Sequence, residues 1–319
     1  MEAGGSSNLV GGVMTPPYSV FLDYSEVRQM IIDSHAHYAH ASFSNSFRYL
    51  SLEDNWTLEE GTLETLLSQM QERGIAMSVE PGIALDFNER VLELAQRYPG
   101  RIFPAVGCHP TRCISEKWSD RGRLAEWSKR PGIVAIGETG LDYHHPRKEQ
   151  RRFRQLLWFL YQLRLAKKRK LPLILHIREA DADALRVLRL ASRHRWCGGV
   201  VHCFGGDWDT AKQYLELGLY IGIGGILLNP ARNEKLKEAV KHIPLDGIVV
   251  ETDSPYVLPY CKDVLPPKLV RRTRNSSLIL PRVIDEIAAL KGIDRDEVER
   301  VTAENAIRLF HLPGFETID

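Results

Sequence analysis

Short apolar runs rich in Val, Ile and Leu recur along the chain, each followed by a longer segment whose apolar residues fall three and four apart. A strand-like run followed by a helix-like period, repeated, is the pattern of parallel βαβ units. Eight rounds occur. The pattern predicts strands over residues 30–37, 76–83, 102–109, 133–138, 172–178, 199–204, 220–225 and 247–253, with helices over 58–73, 147–170, 182–194, 208–217 and 277–291. The strands are apolar without a break, as in GGVVHCF and GIVVETD, which suits strands covered on both faces. The expected fold class is therefore α/β, a single-domain TIM-type (β/α)₈ barrel over residues 30–312, with a doubly wound open sheet as the other architecture. Residues 1–29, Gly/Ser-rich at the start, read as a flexible N-terminal extension and 313–319 as a tail. No fixed repeat is present, so solenoids and propellers drop out.

Composition narrows the partners. With 319 residues, 44% of them hydrophobic, the chain can bury a large core. Lys plus Arg number 42 against 41 for Asp plus Glu, so any polyanion contact must be local. The basic segment 147–170 reads first as the solvated outer face of a barrel helix. Five cysteines (Cys108, Cys113, Cys197, Cys203, Cys261) without a CxxC pair disfavour a disulfide framework and a thiolate zinc site. No apolar run approaches the roughly 18 residues of a membrane span, and the N-terminus lacks the order of a signal peptide. A cytoplasmic protein with no membrane contact is expected; no protein partner can be named.

Ionisable residues then stand out at the ends of apolar strands. The first strand closes in Asp33-Ser34-His35-Ala36-His37, and alternate strand positions share a face, so His35 and His37 can clasp one metal ion. HxH alone is weak. It gains weight because Glu138, His176, His202 and Asp253 fall at the C-terminal ends of later strands, where barrel enzymes keep their chemistry. Six such groups in apolar surroundings cost several kcal/mol each unless paired or metal-bound, in the range of about 2–7 kcal/mol per unpaired polar group.

These blocks resemble one family. DSHAH at 33–37, GCHP at 107–110, IGETGLDY at 136–143, LPLILHIREA at 171–180, VHCFGG at 201–206, ETDSPY at 251–256, Arg274-Asn275 and TAENAIRLF at 302–310 are similar, in the same order, to the TatD metal-dependent deoxyribonucleases of the amidohydrolase-like barrels. The resemblance implies two divalent ions, Mg²⁺ or Mn²⁺, while the donor types also suit Zn²⁺ or Fe²⁺. It implies that His35, His37 and Asp253 hold one ion, that His176 and His202 hold the second, and that Glu138 bridges. It further implies hydrolysis of DNA, single-stranded from the 3′ end, with RNA as an additional substrate. Asp253 is the candidate general base for a water attacking phosphorus in line, and Glu138 the second catalytic carboxylate. His109 matches the family's substrate-contacting histidine. Arg178 and Arg274, the latter in a basic loop with Arg271 and Arg272, are further phosphate candidates. Asp142 reads as a partner that orients a histidine or fixes the loop after the fourth strand; His40, His144 and His145 read as surface histidines.

Two segments depart from the family pattern: the stretch containing SFSNSFRYLSLEDNWTLEEG after His37, and YVLPYCKDVLPPKLVRR after Pro255. Both flank the barrel mouth, so substrate size and polarity are open to change there. Hydrolysis of a small ester, lactone or amide is the alternative reading, since one fold supports many chemistries. A binding protein with a vestigial site is disfavoured by the intact ligand set.

Overall fold

The computed structural model describes residues 30–52, 56–144, 148–193, 196–229, 233–259 and 266–312. Eight parallel strands form one sheet in the order β1 (Ile31–Asp33), β4 (Ile75–Pro81), β5 (Ile102–Val106), β6 (Ala135–Asp142), β7 (Leu173–Arg178), β8 (Gly199–Val201), β9 (Leu219–Ile223) and β10 (Ile248–Val250). The ring closes where Ser34 N–H donates to the Val250 carbonyl at 3.0 Å and Ala36 bridges Ser254. Helices follow the strands, giving a (β/α)₈ barrel.

Strand parity divides the core. On β10, Ile248 and Val250 join the large cluster beneath the helices, whereas Val249 joins a second cluster with Ile32, Val79, Ala105, Ile174 and Val200. That second cluster is the barrel interior. Ala303, Ala306, Ile307 and Phe310 from the last helix, Arg295–Phe310, complete it from below. Each of the larger side chains, Ile307 and Phe310, contributes on the order of 1.5–3 kcal/mol by burial.

Several predicted boundaries move. The helix expected over 58–73 runs Leu63–Glu72, because Thr62 caps it and Leu58 lies in a strand. The segment after His37 forms a hairpin, β2 (Phe47–Leu52) with β3 (Trp56–Gly61), antiparallel from Phe47–Gly61 to Leu52–Trp56. β11 (Thr273–Arg274) pairs with it through Arg48 and Tyr49. The departing segment after His37 thus forms one small sheet with Thr273–Arg274, which directly follows the second departing segment. Tyr49 and Leu50 are fully buried there, and Ser276 Oγ–H donates to the Leu50 carbonyl at 2.8 Å. β1 ends at Asp33, so His35 and His37 sit in the loop beyond it, held by backbone bonds to Val79, Asp253 and Ser254.

The basic helix spans Lys148–Arg169. Its outer face is solvated as expected, with Arg164, Lys167, Lys168 and Arg169 exposed. Its inner face carries two buried glutamines seven residues apart. Gln155 exchanges hydrogen bonds with the Asp142 backbone (2.9 Å each), and Gln162 clamps the Cys108 backbone (2.8 and 3.0 Å) and reaches Thr139 Oγ1 (2.7 Å). This helix fixes the ends of β5 and β6, where the site begins.

Candidate metal centre

All six expected side chains meet at the C-terminal mouth, and Glu138 stands between two groups. Its Oε2 faces His35 Nε2 (3.7 Å) and His37 Nε2 (3.6 Å); Asp253 Oδ1 closes that group at 3.6 and 3.3 Å from the same nitrogens. Its Oε1 faces His176 Nδ1 (3.0 Å) and His202 Nε2 (2.8 Å), which are 3.0 Å apart. The rings of His35 and His202 stack at 3.9 Å, joining the groups.

Backbone geometry makes this arrangement. The pairing of β6 with β7 shifts register between Ile136 and Thr139, an irregularity that re-aims Glu138 into the barrel. Gly107 permits it: a Cβ there would lie 2.2 Å from the Gly137 carbonyl carbon and 2.5 Å from Glu138 N. Asp253 adopts φ 55°, a left-handed conformation that Asp tolerates better than most residues. Its N–H donates to the His35 carbonyl at 2.8 Å. Below it, buried Asp33 accepts from the His35 and Thr252 amides (both 3.1 Å) and from the Thr252 hydroxyl (2.6 Å), tying the β1 loop to the β10 loop. Glu80 accepts from the amides of Tyr38 (2.7 Å) and Ala39 (3.1 Å), holding the far side of the same loop.

The charges are mutually adjusted. Burial opposes ionisation of Glu138, yet His109 and His202 outweigh it and hold the carboxyl well below its ordinary range. Burial also opposes protonation of His37, but Asp253 and Glu138 draw its pKa up to about 9; Asp142 and Glu138 do the same for His176, also to about 9. His35, buried beside His202, is lowered well below 6.5. A cluster of two carboxylates and imidazoles with opposed tendencies is a polycation-ready site, and the donors fit divalent ions. Oxygen and nitrogen donors bound at about 2.1 Å stand roughly 3.4 Å apart around a tetrahedral ion, close to the separations found. The Nδ1 atoms of His35, His37 and His202 make no hydrogen bond among the described residues, as buried ligand rings awaiting a fixed tautomer would.

Residues 32–311 match the family described as TatD related DNase. The chain belongs to the TatD family. It is 33% identical over 254 residues to the metal-dependent hydrolase YabD of Bacillus subtilis, covering 78% of this chain and 94% of that protein. It is likewise 33% identical to the 3′-5′ ssDNA/RNA exonuclease TatD of Edwardsiella piscicida, over 79% of this chain and 94% of that one. Among solved structures, the TatD homologue YJJV of Escherichia coli superposes with a TM-score of 0.76 at 27% identity, covering 90% of this chain and all of that one. This TatD-family protein is accordingly a metal-dependent hydrolase.

The remaining expected residues divide. His109 lies at the second group, its Nε2 3.4 Å from Glu138 Oε1. Its Nδ1 accepts from the Thr111 amide at 3.1 Å and meets the Thr111 hydroxyl at 2.7 Å, and one ring nitrogen lies with Glu138 and His176 in a group that could hold a metal ion. Asp142 Oδ2 accepts from His176 Nε2 at 3.2 Å, the orienting contact expected of it. Arg178 is exposed and Arg274 half-buried; Arg274 acts electrostatically on His40 and Tyr256, and neither guanidinium has a hydrogen bond or ion pair among the described residues. His144 is exposed and contacts Glu179 at 2.6 Å. His145 lies outside the described residues. His40 is nearer the site than a surface reading implies, its ring 5.6 Å from that of Tyr256, which in turn is 5.9 Å from His37. Tyr256, 44% exposed at the rim, was not singled out by the sequence; only its place in ETDSPY marks it. No described helix is long and apolar enough to cross a membrane.

Proposed function

We propose that this protein hydrolyses phosphodiester bonds in single-stranded DNA, and RNA, stepwise from the 3′ end, with two divalent ions. One observation carries the reading: the two oxygens of Glu138 face separate groups of nitrogen and oxygen donors. His35, His37 and Asp253 would hold one ion and His176 and His202 the other, with Glu138 shared. Bound there, the ions supply Lewis-acid charge and lower the pKa of water.

The chain's own residues do the rest. Asp253, 15% exposed at its side chain, has Oδ1 toward His35 and His37, which leaves Oδ2 to accept a proton from an attacking water. His109 donates its Nε2 proton toward a non-bridging phosphate oxygen. Arg178 and Arg274 offer guanidinium forks for neighbouring phosphates. Arg274 is fixed by β11, while the next residue, Asn275, donates from its amide N–H to the Pro255 carbonyl (3.2 Å) and from its side chain to the Thr252 carbonyl (2.8 Å). The activity for which the Edwardsiella relative is named agrees with this substrate class.

The test uses 5′-labelled oligonucleotides with Mg²⁺ or Mn²⁺, beside circular single strands, blunt duplexes and a panel of lactones and esters. A ladder shortening one nucleotide at a time supports the proposal. Equal cutting of circles refutes entry from an end, and turnover of the small esters alone would transfer the site to the alternative chemistry.

A further inference from the structure

Behind the metal centre lies a carboxylate with no task so far. Glu251 exposes 1% of its surface. Its Oε1 accepts the Cys203 amide at 2.6 Å, while Oε2 has no partner among the described residues. His202 Nδ1 is 3.9 Å from Oε1, and the Nδ1 atoms of His202 and His35 make no hydrogen bond among the described residues. One ring nitrogen of each histidine and one Glu251 oxygen lie within 4.8 Å of one another.

The strands are built around this carboxylate. Val249 faces the barrel interior, so Glu251, two residues on, continues the same side one layer higher; Val200 and His202 repeat the relation on β8. β9 makes the space. A Cβ at Gly222 would stand 2.5 Å from Glu251 Oε2, and one at Gly224 would stand 3.3 Å from its Cγ.

An imidazole that presents the Nε2 lone pair to a metal carries its proton on Nδ1, and that proton needs an acceptor. The two histidines beside Glu138 Oε1 differ here. His176 turns its other nitrogen to Asp142, whereas for His202 the facing acceptor is Glu251. We propose that Glu251 is a positioning residue that accepts the Nδ1 proton of His202, with the His35 ring as its second neighbour, and so fixes the tautomer that offers Nε2 to the second ion. The role rests on the metal assignment above.

Zn²⁺ serves as the probe. The metal-free protein is titrated with Zn²⁺ against a chelator, and imidazole tautomers are read from long-range ¹H–¹⁵N spectra of the loaded wild type. We expect His202 to carry its proton on Nδ1, and Glu251→Ala to weaken the second ion by roughly 10–100-fold. Glu251→Gln, whose amide oxygen still accepts, should lose less. Gly222→Ala, which crowds Oε2, should imitate Glu251→Ala at that ion. Unchanged Zn²⁺ affinity in a folded Glu251→Ala or Gly222→Ala protein would overturn the role, and Gly222→Ala decides if Glu251→Ala does not fold; a loaded wild-type His202 protonated on Nε2 would overturn it together with the assignment of His202 to the second ion. A third Zn²⁺ per chain, lost in Glu251→Ala, would overturn it in favour of a cation held by His35, His202 and Glu251. Wild-type protein that binds no Zn²⁺ would remove the metal assignment itself, a result distinct from these.

Discussion

Glu138 touches every other expected ligand group through one of its two oxygens, so its removal differs in kind from removal of a histidine. Glu138→Gln should lower the content of both ions, and because a metal contributes several kcal/mol at the transition state, activity should fall by roughly 10³-fold. His176→Ala should deplete mainly one ion. Elemental analysis beside turnover checks this, and a Glu138→Gln protein retaining both ions removes the bridge. Proton linkage acts on the same residues. His37 and His176, each raised to about 9 without metal, bind protons in the folded state that the unfolded chain releases above 6.5. Their stabilisation is full below pH 6.5 and lost as pH rises through 9; Glu80, raised by burial to about 8, acts in the same direction. Metal-free protein should therefore melt at lower temperature at pH 9.5 than at pH 6.5. Metal affinity should move the opposite way, rising with pH as these protons cease to compete. Thermal unfolding in chelator, with calorimetric counting of protons released on metal uptake at pH 7, tests both trends; metal uptake without proton release would contradict them.

At the level of elements, the site depends on close passages between strands. Gly107→Ala drives a Cβ into the Gly137–Glu138 backbone, with no flexible side chain to yield. A cost of about 1–3 kcal/mol in stability is expected, with metal loss at both groups because Glu138 shifts. The small sheet of β2, β3 and β11 makes a different prediction. Tyr49, fully buried, donates to Gln69 Oε1 at 2.8 Å, and its backbone pairs with Arg274. Tyr49→Ala should cost about 3–5 kcal/mol and loosen Arg274 without touching a metal donor. Weaker oligonucleotide binding at unchanged metal content is the expected result, read by anisotropy and elemental analysis; coupled loss of both would mean the sheet supports the metal groups directly.

Across the whole molecule, chemistry and closure occupy opposite ends of the barrel. Phe310, 1% exposed in the last helix, packs with Ile32, Val79 and Val249 below the site. Phe310→Ala should destabilise by about 3–5 kcal/mol and leave metal affinity unchanged, because the donors sit at the other end. Denaturant unfolding and metal titration of the same preparation separate the two; a parallel loss of affinity would show that the plug reaches the mouth.

What the sequence determined by itself was local in period and chemistry. The eight apolar runs, the six donors at their ends and the ordered TatD-like blocks follow from nearest-neighbour pattern, and they give the barrel and the family. The ends of elements did not follow, since Leu58 is apolar at helical spacing yet pairs across a hairpin with Leu50. The rule that found Glu138, a carboxylate closing an apolar run, also fits Glu80 and Glu251, and only the fold tells them apart. Glu80 accepts two loop amides, Glu251 faces the back of His202, and Glu138 alone is aimed between the two histidine groups by the irregular β6 register and the space left at Gly107. The pairing of the atypical 47–61 hairpin with the distant Thr273–Arg274 was equally hidden. Residue types carry chemistry, but direction and distance between remote segments are set by packing, which no local pattern encodes.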